Sequence, residues 1–232
     1  DLKYKNRPIW SMCIVPAGDW ATDRHPYKEG HMRFLSVRPD ARSNDTLFVQ
    51  SIFGSVANGQ ERYELQTRTT SKPYGVPPSA FQSQIGYRLQ TNDTRVLSAF
   101  EQDMVIQYVQ STIIPETGMP GIFHGVFSME DSDVVDAHYI QSDTLEFAYP
   151  SICYVGDKTR NMASAITFSH SSELDFPGTS AVFYNAVKGM DAVYSSVIPI
   201  KEGEGLINTF LPDSIERWGD YTAIHLKEKK VL

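Results

Sequence analysis

Four phrases in this chain echo one another, and their recurrence constrains the fold more than any other feature. They are Ile9-Trp10-Ser11-Met12-Cys13-Ile14, Arg95-Val96-Leu97-Ser98-Ala99-Phe100, Phe147-Ala148-Tyr149-Pro150-Ser151-Ile152-Cys153-Tyr154 and Arg217-Trp218-Gly219-Asp220-Tyr221-Thr222-Ala223-Ile224. Each holds one hydroxyl residue, Ser11, Ser98, Ser151 or Thr222, followed by small or apolar residues and then by further short strand-like runs. A small unit that recurs in this way cannot bury its apolar faces alone and must stack on its neighbours. Four strands in about fifty residues is the content of one β-propeller blade.

Short runs separated by Gly, Pro, Asn, Asp and Ser clusters continue from end to end, and no stretch keeps helical period for three turns. The chain is therefore predicted to be all-β. In the first unit, spanning 8–67, strands are expected at 8–15, 31–37, 46–53 and 61–67, with 16–30 inserted between the first two. The segment 71–84 carries Pro73, Pro77 and Pro78, which exclude it from a central strand and make it a loop. A second unit over 94–141 has strands at 94–102, 104–111, 121–129 and 134–141. The third, over 145–200, has strands at 145–155, 162–170, 180–187 and 192–200. A Gly-rich connector follows at 201–212, and 217–232 opens a fourth unit that stays incomplete. Three blades and a fragment leave three arrangements open: part of the ring of a longer chain, a ring completed by a neighbouring chain, or a compact four-bladed ring.

The formal net charge of -7, with Lys and Arg scattered, argues against nucleic acid as a partner. Cys13 and Cys153 are the two cysteines, too few for a disulfide scaffold or a Cys-rich zinc site, and they read as reduced, buried thiols. No run approaches the roughly 18 apolar residues of a membrane span. Histidines 25, 31, 124, 138, 170 and 225 show no i,i+4 or His-x-His spacing, so no metal or other cofactor is expected. Asp131, Asp133 and Asp136 alternate as calcium ligands do, but lack the Gly and terminal Glu of a calcium loop and read as a solvated turn.

The phrases at 92–100, 145–151, 167–172 and 216–221, taken as an ordered set, resemble a family of exported bacterial β-propellers described as sialidase-like or BNR-repeat-like. The resemblance implies an extracellular or cell-surface protein whose full domain is a six- or seven-bladed propeller, and many members of that family have no established activity. Ser172-Glu173-Leu174-Asp175-Phe176-Pro177-Gly178-Thr179 departs from the family's Asp box in spacing and lacks its Trp. The family's arginine clamp, Tyr/Glu nucleophile pair and acid/base Asp cannot be mapped residue by residue, so the catalytic residues are unknown. The expectation is a non-catalytic module that binds a glycan or a surface protein. The alternatives are an exo-acting glycoside hydrolase of sialidase type and a structural subunit of a cell-envelope assembly.

Propeller ligands meet the ring where innermost strands begin, because groups from several blades converge there. Arg95 with Asp93, and Arg217 with Asp220, flank two such strands and are the candidate ligand contacts, with Trp218 and Tyr149 as sugar-stacking faces. The competing reading is that each Arg pins its own turn through its Asp, and that the aromatics pack between blades.

Overall fold

The computed structural model describes residues 13–15, 31–54, 59–83, 86–130, 134–156, 162–186, 192–209, 215–220, 222–227 and 230–231. Their regular structure is all β. Strands β1 (Cys13–Val15), β2 (His31–Ser36), β3 (Asn44–Phe53) and β4 (Arg62–Tyr74) form an antiparallel meander, and short strands β5 (Ala80–Phe81) and β6 (Arg88–Leu89) follow it. A second meander consists of β7 (Val96–Gln102), β8 (Val105–Ile113), β9 (Pro120–Ser128) and β10 (Val134–Ile140). The third contains β11 (Glu146–Tyr154), β12 (Ser164–Ser171) and β13 (Gly178–Asn185), with β14 (Val193–Tyr194) and β15 (Ile198–Lys201) both paired to β13. Finally β16 (Ile215–Glu216) lies parallel to β6, and β17 (Leu226–Lys227) pairs with β18 (Lys230–Val231).

A short parallel pairing, Val134 beside Thr69 and Val135 beside Thr70, joins the first two meanders into one eight-stranded sheet. The sheet curls until β1 lies against β7, giving a nearly closed, barrel-like enclosure. Period-two alternation decides which side chains fill it. On β8, Ile106 and Tyr108 point inward, where they meet Leu35, Leu47, Val49 and Tyr74 of the first meander. Val109 points the other way and, with Phe100, Ile122 and Ile140, packs on Phe147, Ile152, Ile166, Phe168 and Val182 of the third meander. Strands β8 and β9 are therefore buried on both faces. Packing there is tight enough that a Cβ on Gly125 would stand 2.3 Å from the Tyr108 ring.

Between the first two meanders a buried ion pair joins Arg33 to Glu101, and the Arg68 guanidinium lies 4.9 Å over the Phe127 ring. The turn from β7 to β8 places Asp103 (φ 49°) and Met104 (φ 63°) in the left-handed region, as a two-residue type I′ hairpin requires.

The structure corrects the expected strands in three places. Pro73 lies inside β4, which runs on to Tyr74; its carbonyl accepts a 2.5 Å hydrogen bond from the Tyr139 hydroxyl. Pro77 and Pro78 do fall outside strands, but the same segment also holds β5, which pairs with β6. The single strand expected over 192–200 is two short ones on one edge of β13, separated by Ser195, Ser196 and Val197. In the fourth unit, residues 217–220 and 222–225 are not strand, and β16 precedes them. Positions 8–12, including Ser11, and the insertion 16–30 lie outside the described residues, as does Tyr221. No helix among the described residues is long and apolar enough to cross a membrane.

Candidate functional site

Parallel pairing of β16 with β6, extended by the Gln90 N–H donating to the Glu216 carbonyl at 2.8 Å, sets residues 217–220 beside residues 89–93. Both segments run over β11 and β12. The cleft between them has a volume of about 10 Å³ and is lined by Thr91, Glu146, Tyr149, Ser169, His170 and Trp218 among others. That is about the space of one water molecule, far below the roughly 300 Å³ at which pockets begin to enclose a drug-sized molecule.

The first ion pair is built into a turn. Asn92 takes φ 67°, and its Oδ1 accepts the Asp93 N–H at 2.9 Å. Asp93 in turn accepts the Arg95 backbone N–H at 3.0 Å, its Nε at 2.7 Å and its Nη2 at 2.5 Å. The second pair joins Arg217 Nε to the Asp220 carboxylate. Hydrogen bonding to Asp93 is the main reason the Arg95 charge is favoured, and Asp220 adds to it through space.

Tyr149 links the two pairs. It sits in a β-bulge where the β11–β12 register shifts between Ala148 and Ser151, at φ 53°. A bulky residue in the left-handed region costs about 1–2 kcal/mol. Neighbours hold it there: its N–H donates to Ser111 Oγ at 3.1 Å, and its carbonyl accepts the Thr222 hydroxyl at 2.8 Å. Burial pushes the phenol above its ordinary range, and the charge of Asp220 and a hydrogen bond to it push further, against the opposing effect of Arg217. Gly219, at φ +86°, lets residues 217–220 approach, since a Cβ there would lie 2.8 Å from the Tyr149 ring.

Two titratable groups complete the floor. Burial raises the Glu146 pKa, while its hydrogen bond from the Phe81 N–H and the nearby Arg88 lower it. His170 Nδ1 is 2.8 Å from Ser180 Oγ, and its Nε2 is 3.7 Å from Glu202. Burial lowers the His170 pKa, and Glu202 partly opposes this. A Ser-His-Glu sequence of contacts resembles a nucleophilic triad, but Ser180 is 0% exposed and its hydroxyl cannot reach a substrate.

The six sequence-predicted residues thus come together: Tyr149 and Trp218 line the cleft, and Asp93, Arg95, Arg217 and Asp220 cluster around Tyr149. Both arginines also satisfy the turn-pinning reading, since each engages its own Asp. Glu146 and His170 were not among the expected contacts. They are brought together by strand pairing, Phe147 beside His170 and Glu146 beside Ser171. Of the acidic series, Asp131 and Asp133 lie outside the described residues, and Asp136 contacts His138 Nε2 at 3.0 Å. The described residues contain no group of three or more His, Cys, Asp or Glu placed to hold a metal ion. Cys13 and Cys153 are free, and burial pushes their thiols up to about 12 and about 11. Compared with protein families, curated proteins and solved structures, the chain matches none.

Proposed function

We propose that the three meanders are successive blades of a β-propeller. On this reading the chain is an exported, non-catalytic module that binds a glycan or a surface protein at the solvent-facing surface formed by Arg95, Arg217 and Trp218 above the cleft. Two features support the blade assignment. The middle meander buries both faces, one on each neighbour. The repeated hydroxyls also link one unit to the next: Ser98 Oγ accepts the Ile152 N–H at 3.2 Å, and Ser151 Oγ accepts the Ile224 N–H at 3.2 Å.

The observation that carries the binding assignment is the convergence of two Arg–Asp pairs, Tyr149 and Trp218 from three chain segments. The four charges cancel, so the cluster offers donors and acceptors side by side without a net field. That suits vicinal hydroxyls beside the half-buried Trp218 ring better than an isolated anion. A glycan array run with the wild type and with Arg95→Ala and Arg217→Ala tests it. Either substitution is expected to weaken binding about tenfold or more, on the order of 1.5–3 kcal/mol. Unchanged binding together with a clear fall in melting temperature would make the arginines turn-pinning residues and remove the site.

The glycoside hydrolase reading has one observation in its favour: Glu146, with its pKa raised by burial, lines the same cleft as Tyr149. Against it, Tyr149 is 2% exposed and its phenol is held protonated. No turnover of a fluorogenic sialoside is expected, and turnover lost on Glu146→Gln or Tyr149→Phe would replace binding with hydrolysis.

A further inference from the structure

His124 is fully buried on β9, on the face that packs against the third meander. On β8 the Gln107 side chain donates to the Met162 carbonyl and accepts from the Ser164 hydroxyl, so His124 Nε2–H donates to Gln107 Oε1 at 3.1 Å. Its Nδ1 is left as an acceptor, and the Tyr194 hydroxyl donates to it at 2.6 Å. The rings of Tyr184 and Tyr194 stand edge-on to the imidazole, 4.7 and 5.9 Å away between centroids.

The groups around His124 are held with unequal strength. Gln107, His138 and Tyr184 belong to β8, β10 and β13, long strands with continuous ladders to their neighbours. Tyr194 belongs to β14, which is two residues long and ends the strand order β11-β12-β13-β14. Tyr194 lies beside Tyr184 and Val193 beside Asn185; the Ser195 N–H then donates to the Phe183 carbonyl at 2.9 Å, and the Phe183 N–H to Ser195 Oγ at 3.0 Å. The contact that seals His124 is thus carried by the shortest element around it, where local opening costs least.

A proton on Nδ1 turns the imidazole into a second donor, and the Tyr194 O–H loses its acceptor. Among the described residues, His124 faces Gln107 from β8, His138 from β10, Tyr184 from β13 and Tyr194 from β14. None of these is an anion: Asp136 stands behind His138, 3.0 Å from its Nε2, and burial pushes both phenols up, Tyr184 to about 12. We propose that Tyr194 is an acid-released latch: when His124 takes up a proton, the Tyr194 contact breaks and β14 leaves β13, while the central strands stay folded. Burial, with His138 adding to it, lowers the His124 pKa from 6.5 to about 3 in the closed form, and water reaching the ring in the open form restores the ordinary value. The closed form is therefore fully favoured above pH 6.5, and its advantage is lost as pH falls from there toward 3. Opening uncovers Tyr184 and the β13 edge at Phe183 and Asn185, at the end of the third meander where Ser164 pairs with Tyr154 and Tyr184. The cleft is at the other end, beside Glu146 and Ser171, so the latch is independent of any ligand there.

Amide hydrogen exchange followed by NMR on the whole chain, from pH 7 to pH 4.5 and corrected for the intrinsic rate at each pH, provides the test. The Ser195 amide, bonded to Phe183 across the latch, is expected to lose protection by up to about tenfold per pH unit below 6.5. It should stay at least about 100-fold less protected than the amides of β8 and β9 throughout, since those report opening of the whole fold. His124→Gln still accepts the Tyr194 hydroxyl and donates to Gln107 but takes no proton, and it should hold Ser195 protection flat across the range. His138→Gln should leave most of the decline in place. Tyr194→Phe removes the latch bond and should lower Ser195 protection already at pH 7, a readout that does not depend on a His124 variant folding. Constant Ser195 protection in wild type, an equal decline in His124→Gln, protection unchanged in Tyr194→Phe, or Ser195 protection equal to that of β8 and β9 overturns the proposal.

Discussion

At the scale of single residues, His124 shows how far burial governs chemistry in this molecule. It is fully buried on β9, and Gln107 determines its tautomer. Gln107 Nε2 donates to the Met162 carbonyl, so its Oε1 accepts, both from Ser164 and from His124 Nε2–H at 3.1 Å. His124 Nδ1 is then left to accept the Tyr194 hydroxyl at 2.6 Å. Burial, and to a lesser degree the neighbouring His138, lower its pKa from 6.5 to about 3. A histidine depressed in the folded state binds its proton more readily when unfolded. Its contribution is complete above pH 6.5 and is lost as pH falls from there toward 3. The folding equilibrium should weaken by up to about tenfold per pH unit across that window. Melting curves from pH 7 to pH 4 should fall more steeply for wild type than for His124→Gln. His170 acts in the same direction, and Glu146, with a raised carboxyl, in the opposite one. The difference between wild type and variant isolates His124.

At the scale of elements, the β11 bulge is what makes a cleft out of a strand. Two residues in the left-handed region, Tyr149 on the strand and Gly219 on the segment above it, meet face to face. Gly219→Ala adds a Cβ 2.8 Å from the Tyr149 ring at a backbone angle that disfavours any side chain. Backbone strain and overpacking together should cost about 2–4 kcal/mol, read as a lower midpoint in urea. Glycan binding should be lost with it, because residues 217–220 carry Arg217, Trp218 and Asp220. The bulge was not legible beforehand: the phrase from Phe147 to Tyr154 reads as an unbroken strand. The repeated hydroxyls were legible, because Ser98 and Ser151 stand out against their apolar neighbours, and both do link adjacent units.

At the scale of the whole molecule, one ion pair reports how the first two meanders are locked. Arg33 and Glu101 are 4% and 8% exposed at their side chains and belong to different meanders. Glu101→Ala removes the buried ion-pair partner of Arg33 and should lower the midpoint in chemical denaturation, whereas Arg33→Met with Glu101→Leu should recover most of that loss. Equal losses in the single and double variants would mean that the pair is marginal to the interface. The all-β class, the order of the short strands and the alternation along β8 were determined by the sequence itself, because strand geometry repeats every two residues and Gly, Pro and Asn mark its interruptions. Only the tertiary structure decided which of the two alternating rows is covered and by what. It also decided that β4 meets β10, that β13 carries two edge strands, and that Glu146 and His170 share a cleft with Tyr149. Those outcomes depend on contacts between residues far apart in the chain, and a local pattern holds no information about its distant partner.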